Sequence, residues 1–175
     1  LKTYRYNSLP PNDTAGAEKF IREILGKAGK NITIRPPFYC DYGKNIEIGD
    51  NFFANFNTVI LDVGKVKIGN NVMFAPNVSV YTAGHPIHPD SRNSGYEYGI
   101  AVIIGDNVWI GGNAVINPGV TIGNNCVIGA GSVVTKNIPD NSIAVGNPAR
   151  VIRKITDDDR RYYFKNLVFD VDDYK

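Results

Sequence analysis

From Ile104 the chain reads IGDNVW IGGNAV INPGVT IGNNCV IGAGSV VTKNIP, and an aliphatic residue falls on every sixth position: Ile104, Ile110, Ile116, Ile122, Ile128 and Val134. A small or medium residue sits four places after most of them, as in Val108, Ala114, Val120, Cys126 and Ser132. An α-helix does not explain the period, because a step of six turns the chain by about 600° and scatters the aliphatics over three faces. Short strands alternating with turns do explain it. Three hexads close one triangular coil, and stacked coils lay each strand roughly 4.8 Å above its predecessor. The pattern therefore predicts a parallel β-helix, a prism with aliphatic columns inside and Gly and Asn at the corners, where positive φ costs least. A flat sandwich with regular turns is the alternative, and six consecutive hexads count against it.

The earlier half keeps the rhythm with one slip. Ile48, Ala54 and Ile60 are in phase, the stretch LDVGKV resets the count, and Ile68, Phe74 and Val80 resume it. About five coils are expected between residues 32 and 148, within a β-helix domain at 31–148. Residues 82–101 hold no hexad and are rich in Gly, Pro, His, Asp, Arg and Ser, so they predict a loop extruded from the coil wall. Before the prism, residues 14–29 place Phe20, Ile21, Ile24 and Leu25 on one helical face, with Asp13 or Thr14 as cap and Gly29 as stop. This helical cap, within residues 1–30, would cover the exposed strand at the prism's end. Residues 149–175 predict an exit segment followed by a short helix or tail, whose Tyr162, Tyr163, Phe164, Leu167, Val168 and Phe169 need a surface to pack on.

Composition narrows the function classes. The 175 residues carry a formal charge of only +2, with 19 basic and 17 acidic side chains well mixed, which gives no basic face for nucleic acid. No apolar run approaches the roughly 20 residues of a membrane span, and no signal peptide pattern stands at the start. Two cysteines, Cys40 and Cys126, fit reduced thiols in a cytoplasmic protein.

The candidate chemistry lies in YTAGHPIHPD, residues 81–90, which holds both histidines of the chain, His85 and His88. The hexads, PPFYCDYG at 36–43, NFFANFN at 51–57, the TAGHP turn, NVWIGG at 107–112, INPGVTIG, IGAGSVVTK and VGNPARVIR together resemble the maltose and galactoside O-acetyltransferases. The likeness covers roughly residues 3–155. It implies a mainly β fold, a left-handed parallel β-helix of hexapeptide repeats; the left hand comes from the resemblance alone, since the general rule for parallel crossovers is right-handed. It further implies a homotrimer with sites between subunits, acetyl-CoA as acetyl donor, and a sugar or similar small polyol as acceptor.

The resemblance also assigns roles. His85 matches the base that takes the acceptor hydroxyl's proton; imidazole has a suitable pKa, and its second nitrogen should donate to a backbone carbonyl. Gly112 matches the backbone N–H donor to the oxyanion. Trp109 matches an aromatic beside the reacting groups and Ala130 a small residue along the pantetheine arm. Thr135, Lys136, Arg150 and Arg153 match the phosphate end of CoA. Phe53 and Asn55 match positions near the acceptor, with Asp62 close by, whereas Val63 stands where galactoside-acetylating members carry a carboxylate. His88 reads as a residue that shapes the loop. Two histidines in one turn make a poor zinc site, so no metal is expected. With no Ser in a nucleophile elbow and Cys126 on a core column, direct transfer in a ternary complex is expected rather than an acyl-enzyme. Two alternatives remain: an N- or O-acyltransferase of a nucleotide sugar, amino acid or antibiotic, and a non-catalytic β-solenoid that only binds.

Overall fold

The structure, a computed structural model, describes residues 2–169. The six-residue rhythm becomes three stacked parallel sheets, the faces of a β-helix. The first face is built from Lys27–Ala28, Ile46–Ile48, Val66–Ile68, Val102–Ile104 and Thr121–Ile122. The second runs through Thr33–Ile34, Phe53–Ala54, Met73–Phe74, Trp109–Ile110, Val127–Ile128 and Ser142–Val145. The third comprises Phe38–Cys40, Thr58–Leu61, Ser79–Tyr81, Val115–Ile116 and Val133–Val134. The columns run up the interior as the repeat requires: Ile104, Ile110, Ile116, Ile122, Ile128 and Val134 are all fully buried, and so are Val108, Ala114, Cys126 and Ser132. Each such aliphatic contributes about 1.5–3 kcal/mol by leaving water.

The edge between the first and second faces shows why the sequence is rich in Asn. Asn31, Asn51, Asn71, Asn107, Asn125 and Asn141 occupy it in successive coils, all with φ between 54 and 58°. Asn tolerates this left-handed region because its short amide can bond locally. Each Nδ2 donates to the Oδ1 of the next Asn at 2.8–3.0 Å, so one unbroken side-chain ladder ties the coils together. Its steps are 20, 20, 36, 18 and 16 residues. The long step contains the extruded loop.

The edge between the third and first faces is wider in the early coils, and this is the slip seen in the sequence. Asp62 fills it. The residue is fully buried; its Oδ1 accepts from the N–H groups of Asp41 (3.1 Å) and Tyr42 (2.9 Å), and its Oδ2 from that of Asn45 (3.3 Å). One coil further on, Thr82 takes over: its hydroxyl donates to Leu61 O (2.6 Å) and accepts from Gly64 N (2.8 Å). The loop grows out of this same edge immediately after Thr82.

The ends depart from expectation in detail. Helix α1 (Lys2–Asn7), which the sequence pattern does not suggest, packs with α2 (Thr14–Ile24). The second helix ends with Leu25 as its C-cap, short of Gly29, because the chain turns extended there to start the first coil at Lys27. Asp13 caps its other end, accepting from Gly16 N at 2.8 Å. Tyr6, Ile21, Ile24 and Leu25 are buried and close one end of the prism. At the other end Arg150–Lys154 turns back antiparallel on Ser142–Val145. Beyond it the expected short helix or tail is a single 3-10 turn at Asp157–Arg161, followed by a hairpin of Tyr162–Phe164 with Leu167–Val168. Residues 170–175 of the expected tail lie outside the described residues. No described helix is long and apolar enough to cross a membrane.

Candidate active site

His85 stands at the base of the extruded loop. The loop leaves and returns as a two-stranded ribbon, Ala83–Gly84 antiparallel to Tyr98–Gly99, and Ile100 N–H closes it on Thr82 O at 2.8 Å. Space rather than turn geometry favours glycine here, most firmly at Gly99, which meets backbone. A Cβ on Gly84 would lie 2.5 Å from the Tyr98 ring, and one on Gly99 2.6 Å from Gly64 N. The ribbon thereby presses flat against the coil wall and sets His85 opposite Tyr96 and Glu97.

Nδ1 of His85 lies 2.9 Å from the Tyr96 carbonyl. A carbonyl only accepts, so Nδ1 carries a proton, and whenever the ring is neutral Nε2 is its acceptor. Nε2 faces Glu97 Oε1 at 4.0 Å, and the imidazole is half exposed. The ring is thus held in one tautomer and still open to a molecule from outside. His88 serves the loop itself. Its Nδ1 accepts from Asp90 N at 3.3 Å and caps the short helix α3 (Pro89–Asn93). Arg92 of that helix donates to Ile87 O at 2.9 Å and ties it back to the turn.

The second face carries another set of residues, pointing outward in register. Phe53, Met73, Trp109 and Val127 stack as successive neighbours, with Met73 and Trp109 about half exposed. The Arg35 guanidinium lies over Phe53 at 5.8 Å and over Phe56 at 5.3 Å. Asn55 follows Phe53 at the edge of the second and third faces, and its Oδ1 accepts from Phe56 N. Gly112 and Ala130 lie on that edge in later coils. Gly111 N–H and Asn113 N–H donate to Ile128 O (2.8 Å) and Pro76 O (3.0 Å), while Gly112 contributes its carbonyl to Gly131 N and its own N–H to no bond among the described residues. A Cβ at Gly112 would come within 3.2 Å of Pro76 O.

The comparisons with known proteins agree with this architecture. A family model described as "Bacterial transferase hexapeptide (six repeats)" matches residues 101–136. Galactoside O-acetyltransferase of Escherichia coli (strain K12) is 52% identical over 163 residues, which cover 93% of this chain and 80% of the relative. A crystal structure of a maltose O-acetyltransferase from Clostridium difficile 630 superimposes with a TM-score of 0.88 at 55% identity, covering 89% of this chain and 83% of that one. A galactoside acetyltransferase in complex with coenzyme A superimposes with a TM-score of 0.95 at 49% identity, covering 97% and 85%. This chain belongs to the hexapeptide-repeat acetyltransferases.

The acetyltransferase places its remaining candidate residues unevenly. Thr135 and Lys136 are exposed on the edge of the third and first faces, two coils beyond the loop's base. Arg150 donates to Ala149 O at 2.9 Å. Arg153 makes a two-pronged ion pair with Asp159, at 2.8 and 2.7 Å, which holds the Asp159 carboxyl down to about 2. Asp62 needs correction: it is not a side chain presented to an acceptor, since it is fully buried with both carboxylate oxygens engaged by backbone N–H groups. The two thiols are free and poorly nucleophilic. Burial, with Asp62 and Asp41 adding to it, pushes Cys40 up to about 12, and burial raises Cys126 as well. Sequence reasoning misses Glu97 and the Tyr96 carbonyl. Neither lies in a hexad or near a histidine in sequence; only the antiparallel ribbon brings them to His85.

Proposed function

We propose that this chain transfers an acetyl group from acetyl-CoA to a hydroxyl of a sugar or related polyol, with His85 as general base. The observation that carries this reading is the bond between His85 Nδ1 and the Tyr96 carbonyl, which leaves Nε2 free to take the hydroxyl's proton as the oxygen attacks the thioester. The acetyl carbon passes directly to the acceptor oxygen. The thioester oxygen gathers charge toward Gly112 N–H, and the CoA thiolate leaves and is protonated. The raised thiols of Cys40 and Cys126 favour this direct route over an acyl-enzyme.

The two halves of the site sit on opposite sides of one prism. His85 leaves from the edge of the third and first faces, whereas Trp109 projects from the second face, opposite that edge. Outward residues also differ: Lys27, Glu47 and Lys67 on the first face, Phe53, Met73, Trp109 and Val127 on the second, Val59, Val115 and Val133 on the third. We infer a homotrimer in which His85 of one copy meets the Trp109 face of another. Trp109, Ala130, Thr135, Lys136 and Arg150 line the CoA path; Phe53 and Asn55 border the acceptor. Arg153 reaches CoA only by leaving Asp159.

The test is acetyl-CoA thiol release over methyl glucoside, methyl galactoside, maltose, amino sugars and amino-acid amines, with the wild type and His85→Ala. Sugar-dependent release that falls roughly 10²–10⁴-fold in kcat, with acetyl-CoA affinity nearly kept, is the expected result. A loss below tenfold removes His85 as the base, and a preference for amines over every sugar replaces the acceptor class.

A further inference from the structure

The gap beside His85 has an unusual property: both groups that face it accept hydrogen bonds. When the ring is neutral, as a general base must be, Nε2 is an acceptor because Nδ1 holds the proton against Tyr96 O. Across from it, 4.0 Å away, stands Glu97 Oε1. That distance is too long for a direct hydrogen bond. Among the described residues, no lysine, arginine or backbone N–H bonds the Glu97 carboxylate. Asp41, on the coil wall, belongs to the same neighbourhood: burial raises its carboxyl, and the carboxylates of Asp62 and Glu97 raise it further. The local field is therefore negative, and no donor among the described residues stands between the two acceptors.

We propose that Glu97 is a specificity-determining residue: with His85 Nε2 it binds an acceptor that offers two nearby donors, the hydroxyl to be acetylated and a second hydroxyl or an ammonium on the same molecule. The inference rests on the reading of His85 as base and says which hydroxyls that base can reach. A lone alcohol satisfies Nε2 and leaves the carboxylate facing an apolar carbon, which costs binding that a polyol keeps. Val63 offers no hydrogen bond on the neighbouring corner of the wall, so the second donor is read by the loop rather than by the coil.

The experiment takes whichever of methyl glucoside, methyl galactoside or maltose the wild type turns over fastest, the monodeoxy analogues of that sugar, and its amino analogues. Each is run with wild type, Glu97→Gln and Glu97→Leu, and the acetylated position is read by NMR. In the wild type, one monodeoxy analogue lacking a hydroxyl near the acetylated one should lose about 10- to 100-fold in kcat/KM, the loss expected when a charged group goes without its hydrogen bond. Glu97→Leu should erase that discrimination, and Glu97→Gln should keep part of it. A gain for the amino analogue that disappears in Glu97→Gln identifies an ammonium as the second donor; equal treatment of the amino and parent sugars identifies a hydroxyl. Undiminished discrimination in Glu97→Leu, or one uniform loss across all acceptors, overturns the proposal while leaving the enzyme an acetyltransferase of sugars. No thiol release with any sugar sinks the functional reading itself.

Discussion

Two edges of the same prism behave in opposite ways. Where the first and second faces meet, one residue type repeats through six coils, every φ is alike, and each amide satisfies the next. Where the third and first faces meet, no residue repeats. Asp62 fills one coil's corner, Thr82 the next, and the chain then opens into the ribbon that holds His85. The lesson is that a solenoid gains rigidity from identity and chemistry from interruption. A ladder whose amides are spent on one another has little left to offer a ligand. The interrupted edge presents an imidazole nitrogen and a carboxylate with no hydrogen-bond partner among the described residues.

Substitutions can break that contrast. The largest effect belongs to His85→Ala, which should abolish most turnover yet leave the denaturant midpoint of unfolding nearly unchanged, because the ring is half exposed. Asp62→Ala should do the reverse, lowering stability by about 3–5 kcal/mol, since three part-buried N–H groups lose their acceptor and a fully buried side chain is removed. Equilibrium urea unfolding measures it, and a loss below about 1 kcal/mol would show the corner repacking without the carboxylate. Asn107→Ala on the regular edge should cost about 1–2 kcal/mol from left-handed strain alone, and Asn107→Gly distinctly less. Lys136→Ala should weaken acetyl-CoA binding by roughly threefold to tenfold, read by calorimetry, with kcat nearly kept. The smallest effect is one of pH. Arg153 holds the Asp159 carboxyl below its unfolded value near 4. The support this pair gives the C-terminal turn is thus present above about pH 4 and lost as pH falls through about 2. NMR titration of the Asp159 carboxyl should show that midpoint, and Arg153→Ala should return it toward 4.

The sequence discloses the wall far better than the site. A period of six survives any local detail, because each aliphatic column needs every member, and Ile104 to Val134 are therefore legible at once. The slip at LDVGKV is visible too, but its cause is not: only the folded chain shows a buried carboxylate gathering three backbone donors. The same gap puts Asp62 in the acceptor pocket, since a carboxylate beside a catalytic loop looks functional until its burial is known. His85 stands out in its turn, yet Tyr96 and Glu97 do not, because a ribbon joins residues eleven positions apart without any periodic mark. The tail is less legible for a related reason. The sequence leaves a short helix or tail open there, and the two short strands of a hairpin instead expose Tyr162, Tyr163, Phe164, Leu167 and Val168.

The loop also leaves no trace in the wall it springs from. Val66, Lys67 and Ile68 pair with Val102, Ile103 and Ile104 as though nothing lay between them. The excursion begins and ends at one point of the spiral, so its length and content are free of the demands that fix the interior. New reactivity can be installed there, or removed, by exchanging one inserted segment while the scaffold keeps its shape. Descendants of a single ancestral barrel could in this way part company in what they recognise long before they differ in how they stand up.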